Sequence, residues 1–165
     1  MSTIAYAAVT RAREAATPGT STRSPGVGTY VDALAALVPA EVLVAHGTIL
    51  TFTTKTAPDN TVQITRPDAL VVTFYGLIAV SVILYITGRL WTGKWDNWDW
   101  LRMLIPPLAF VGWTMLQKAT AFDAVVDQKS LDDVMRNVIA IIGGIVLGVV
   151  AAALAYKADQ KTPPP

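Results

Sequence analysis

The twenty residues Ala69–Gly88, ALVVTFYGLIAVSVILYITG, contain no charged side chain. As a helix rising 1.5 Å per residue they extend about 30 Å, the thickness of a bilayer's hydrocarbon core. Pro67 and Asp68 precede the stretch, and Gly88 with Arg89 closes it, which are the start and stop signals of a helix. It therefore reads as a transmembrane span. The pattern returns at Asn137–Tyr156, NVIAIIGGIVLGVVAAALAY, a second charge-free stretch of the same length.

Two further apolar stretches are less clean. Residues 101–122 form a third expected span, with Arg102 near one end and Lys118 near the other, each able to snorkel outward. Pro106 and Pro107 lack N–H groups and disfavour helical geometry in the residue before them. They are candidate hinges, although a proline pair near one end more often sets the first turn of the span. The other stretch lies between Thr29 and Thr54. Thr29 with Asp32 makes a capping-box-like start, and Pro39 then interrupts. Two readings stand: a kinked helix over 30–52, or an interfacial helix followed by a short membrane helix over 39–54. The sequence favours the second.

The whole chain fits this picture. Of its 165 residues 53% are hydrophobic and 15% are charged, against roughly a quarter charged in an ordinary soluble domain, and mean hydropathy is +0.45. The expected fold class is all-α: an integral membrane protein of four transmembrane helices, the first broken or kinked at Pro39. Residues 1–28 read as a flexible, mildly basic arm, 29–156 as the membrane domain with spans over 39–54, 69–88, 101–122 and 137–156, and 157–165 as a Pro-rich tail.

The connectors also carry signals. Residues 55–67, KTAPDNTVQITRP, are polar with turn chemistry at Pro58, Asp59 and Asn60, and Thr61–Thr65 has some β character. Residues 91–100, WTGKWDNWDW, hold Trp91, Trp95, Trp98 and Trp100. The first three recur at helical spacing with charges between them, which suits a short interfacial element between the second and third spans. Residues 123–133 are polar and acidic, and Ser130 with Asp133 makes a second capping-box-like start.

Four spans put both termini on one side. That side collects eight Lys and Arg against five opposite, so the positive-inside rule places both termini in the cytoplasm, in a plasma (inner) membrane.

Few residues have the makings of a site. Glu41 is the only acidic residue deep in an apolar stretch, and reads either as a dipole-stabilised helix start in the interface or as a pore-lining or proton-binding carboxylate. His46, the single histidine, lies five positions on, about 140° around a helix, so it does not share Glu41's face, whereas Thr48 does. Lone polar residues in a bundle are more often hydrogen-bonded packing elements than ligands. Gly144 and Gly148 form a G-x-x-x-G spacing that Ala152 extends, a face on which helices can approach closely.

The net charge of +1 gives no field for nucleic acid, and no cysteine is present. One histidine and no paired intramembrane carboxylates leave few groups for acid, base or nucleophile, so no enzymatic activity, cofactor or metal site is expected. The expected partner is the lipid bilayer, together with further copies of the chain. The leading functional expectation is a homo-oligomeric channel with Glu41 and Thr48 nearest a polar path. An anchor or scaffold subunit of a larger protein complex is the alternative, and a proton-coupled carrier using Glu41 and His46 is the weakest reading.

Overall fold

The computed structural model describes residue 35 and residues 37–92, 95–126 and 131–159. Of these, 76% are helical and 5% lie in strands. In chain order the elements are α1 (Ala40–Thr53), β1 (Thr54–Thr56), β2 (Val62–Ile64), α2 (Pro67–Thr92), α3 (Asp99–Leu116), α4 (Ala121–Val125) and α5 (Asp133–Asp159).

Pro39 precedes the first residue of α1 with an extended backbone, ψ 134°, so the chain breaks there and the helix restarts at Ala40. Residues 39–54 were expected to be a span, and fourteen of them form α1. At its end the backbone leaves as an antiparallel hairpin pairing Thr54 with Ile64 and Thr56 with Val62. The expectation of a helical fold holds, and this hairpin is the departure from all-α among the described residues. Two threonines and two β-branched aliphatics in the strands favour extended backbone, and Asn60 turns the chain at φ 62° while Asp59 accepts hydrogen bonds from the Thr61 N–H and hydroxyl. Thr65 then donates back to the Thr53 carbonyl, which ties the hairpin to the end of α1.

Helices α2 and α5 are the two elements long and apolar enough to cross a membrane. Only 28% and 17% of their most apolar windows are buried, whereas the core helix of a soluble domain is mostly buried. Their outer faces show side chains such as Val72, Ile83, Ile142 and Val149, all more than half exposed.

Helix α3 occupies the interior. It packs against α2 on one side and α5 on the other, and it supplies Ile105, Ala109 and Phe110, each at most 1% exposed. Its bounds correct the expected span 101–122. The helix starts two residues earlier and ends at Leu116, after which Gln117 is extended and Ala119 takes φ 55°. Thr120 then caps the single turn of α4 in a reciprocal box with Asp123. Pro106 and Pro107 are buried inside α3, seven and eight residues past its start, so they do not set its first turn.

In the Trp-rich segment Trp91 is the last residue but one of α2, Asn97 and Trp98 lie in a turn, and Trp100 lies in the first turn of α3. Trp95 and Trp100 meet edge to face at 6.0 Å. Helix α5 runs on through Asp159, three residues into the expected tail, because the prolines that stop a helix begin only at Pro163. The arm, the cap at Thr29 and the cap at Ser130 lie outside the described residues.

The helices alternate in direction. The end of α1, the hairpin, the start of α2, the end of α3, α4 and the start of α5 lie together at one end, as the contacts Thr65 to Thr53 and Arg136 to Gln117 show. The end of α2, the start of α3 and the end of α5 lie at the other.

Candidate functional site

Outward along α1 runs a stripe of exposed residues at helical spacing: Glu41, Val44, Thr48 and Thr51. The opposite face, Val42, His46 and Thr53, is buried. Glu41 and Thr48 therefore do share a face, and His46 is turned away from it. The threonine hydroxyls are satisfied within the helix, Thr48 donating to the Val44 carbonyl at 2.8 Å and Thr51 to Thr48 at 2.7 Å. Their oxygens still present acceptor lone pairs outward.

His46 is fully buried. Its ring meets Phe110 and Trp113 of α3 edge-on at 5.5 and 5.3 Å. Its Nε2 accepts the Ala121 N–H at 3.4 Å, which leaves the proton of a neutral ring on Nδ1, a buried atom with no partner. The histidine thus joins α1, α3 and α4 by packing and one long hydrogen bond.

Two ionic clusters, both missed by reading the sequence, close the ends of the helices. At one end Asp99 is fully buried and accepts five hydrogen bonds: from Tyr85 OH at 2.9 Å, Arg89 Nε and Nη2 at 3.0 and 2.9 Å, Arg102 Nη1 at 3.1 Å and the Asp96 N–H at 2.6 Å. Arg102 passes its other nitrogen to the Leu154 carbonyl at 2.8 Å. It is 7% exposed, so the expectation that it snorkels outward is corrected: a carboxylate three residues away and the Leu154 carbonyl of α5 hold it inside. At the other end Arg136 binds Asp123 and donates to the Gln117 carbonyl at 2.6 Å, with its guanidinium over the Phe122 ring. Lys118 does point outward, 84% exposed and 3.7 Å from Asp133.

Along α5 the two clusters are separated by the eighteen residues from Arg136 to Leu154, about 27 Å of helix. Between them the surface of α2 and α5 is apolar, and hydroxyls on both faces of the helices back-bond to their own turns, as at Thr73 and Ser81. No protein-family model matches the chain, and neither a curated protein nor a solved structure is similar to it. The geometry alone carries the functional reading.

The remaining expected residues are dispersed. Gly144 lines a groove between α3 and α5, whereas Gly148 is half-buried and Ala152 exposed further along, and a methyl group added at Gly148 would meet nothing within 4 Å. The small-residue face is thus unfilled within one chain. Trp91, Trp95, Trp98 and Trp100 are all exposed at the Asp99 end, where a belt would lie.

Proposed function

We propose that the chain is an integral membrane protein whose α1, α2, α3 (from Leu101) and α5 cross the bilayer, and that several copies assemble around a shared polar path. The observation that carries the membrane reading is the spacing of the two ionic clusters. About 27 Å of apolar surface separates them, close to the hydrocarbon thickness, and charged side chains within that interval would have been costly. Exposed tryptophans at one edge and back-bonded hydroxyls between support it.

For the path, the supporting observation is the outward stripe of α1. A single chain of this size has little room for a water path, and the stripe would put Glu41 at one mouth with Thr48 and Thr51 deeper. The unfilled face at Gly148 and Ala152 is available for lateral contact between copies. The charge asymmetry of the flanks favours both termini in the cytoplasm. Glu41 and His46 lie on opposite faces of α1, which weighs against a proton relay between them.

Ion flux through vesicles containing the pure protein tests this. Cation conductance is expected, and Glu41→Gln is expected to lower it about tenfold at low salt, because a ring of carboxylates at a mouth concentrates cations. Absence of conductance, or conductance that ignores the substitution, would remove the channel and leave the role of anchor for a larger complex.

A further inference from the structure

A polar cleft and an apolar groove follow one another along α5. The cleft, about 690 Å³, lies between β2, the turn after α3 and the start of α5, and contains two cations and two anions: Lys118 and Arg136, Asp123 and Asp133. The groove, about 460 Å³, runs between α3 and α5 and is lined by apolar side chains and glycines alone. Their linings are in register. On α5, Asp133 and Arg136 of the cleft continue at helical spacing into Ala140, Gly143 and Leu147 of the groove. On α3, the groove ends at Met115, three residues before Lys118.

We infer that this combined feature is a binding site for one phospholipid with a zwitterionic amine headgroup, the headgroup in the cleft and an acyl chain in the groove. The inference rests on the membrane reading above. Arg136 spends its two terminal nitrogens on Asp123 and Gln117, but its Nε is buried with no partner in a side chain only 6% exposed. A buried donor left unmade is unfavourable, and because Arg136 lines the cleft, a small shift of its side chain would offer Nε to a phosphate oxygen there. Lys118 supplies a second cation for the phosphate, and the first turn of the long helix α5 contributes its positive dipole end. Asp133 then matches the headgroup ammonium, which accounts for a cleft of balanced charge. The groove extends from Leu101 to Met115, about 21 Å, and one leaflet of a bilayer needs about 15 Å. Gly112, Gly143 and Gly144 give it depth.

The full-length protein, purified in mild detergent and titrated with dioleoyl phosphatidylethanolamine under native mass spectrometry, tests the site. One lipid per chain is expected to stay bound. Gly143→Leu is expected to weaken binding about tenfold or more, since a Cβ there meets no protein atom and the added side chain takes the lipid's place without disturbing the helix. Lys118→Gln alters an exposed residue, so the fold survives, and it is expected to weaken phosphatidylethanolamine without affecting dioleoylglycerol. The inference is overturned if dioleoylglycerol binds as tightly as the phospholipid, or if free phosphoethanolamine competes at equal concentration and the cleft serves a soluble ligand. It is overturned too if Gly143→Leu changes only the oligomer mass, which would make the groove a contact between copies. A protein that needs detergent yet returns without lipid contradicts this inference alone, whereas one that stays dispersed in plain buffer contradicts the membrane reading.

Discussion

Asp99→Asn is expected to destabilise the protein by about 3 kcal/mol, the lower end of what breaking a buried ion pair costs. Five donors converge on that carboxylate, and an amide in its place brings an N–H among them while leaving two arginines unneutralised. The figure sits at the lower end because the Arg89 side chain is 29% exposed and recovers water, whereas Arg102 does not. Unfolding in mixed micelles measures the loss. The double variant Asp99→Leu with Arg102→Leu should regain much of it, since both buried charges then disappear together.

The same cluster predicts a pH dependence. Burial pushes the Asp99 carboxyl up, but hydrogen bonds from the Asp96 N–H, Arg89, Tyr85 and Arg102 outweigh it and hold the group down at about 2. A carboxylate held below its unfolded value of about 3.9 contributes stability that is fully present above that value and is lost as pH falls toward 2. Wild-type stability should therefore decline between about pH 4 and pH 2 with a component that Asp99→Asn lacks.

Arg136→Leu is expected to cost about 4 kcal/mol, and Lys118→Ala no more than about 1 kcal/mol. Both arginine and lysine face an aspartate, and the difference is burial. The Arg136 and Asp123 side chains are 6% and 3% exposed, those of Lys118 and Asp133 84% and 58%. Losing Arg136 strands the Asp123 carboxylate, frees the Gln117 carbonyl and removes the cation from the Phe122 ring, so α4 loses its tie to α5. Thermal unfolding of the two variants beside wild type reads the contrast directly. Equal losses would mean that the Arg136 cluster is as solvated as the surface pair.

How much was legible follows from which forces are local. Helices α2 and α5 announce themselves because they are long and apolar, and hydropathy needs no knowledge of partners. The break at Pro39 is equally local. Helix α3 is harder: its core position lets it carry Arg102 and two prolines, features that made residues 101–122 a less clean span. Its end at Leu116 depends on Ala119 at positive φ, and alanine is no turn signal. The ionic clusters join residues ten and thirteen apart across turns, so no helix periodicity reveals them; only the Asp99 and Arg102 pair, three apart, had a readable spacing. For the candidate stripe, the spacing of Glu41 and Thr48 placed them on one face, but only packing against Phe110 and Trp113 decided that His46 faces inward.

The central claim is that a bilayer surrounds the surface between the two clusters. Because the chain has no cysteine, single cysteines report cleanly on it. Asn60→Cys at the hairpin, Trp95→Cys in the Trp-rich turn and Val80→Cys on the outer face of α2 can each be exposed, in sealed vesicles, to a maleimide that does not cross membranes. Val80 is 40% exposed in the isolated chain. The account predicts that Asn60→Cys and Trp95→Cys are labelled from opposite sides and that Val80→Cys reacts from neither until detergent is added. Labelling of all three from a single side, with Val80→Cys as reactive as the others, would contradict it.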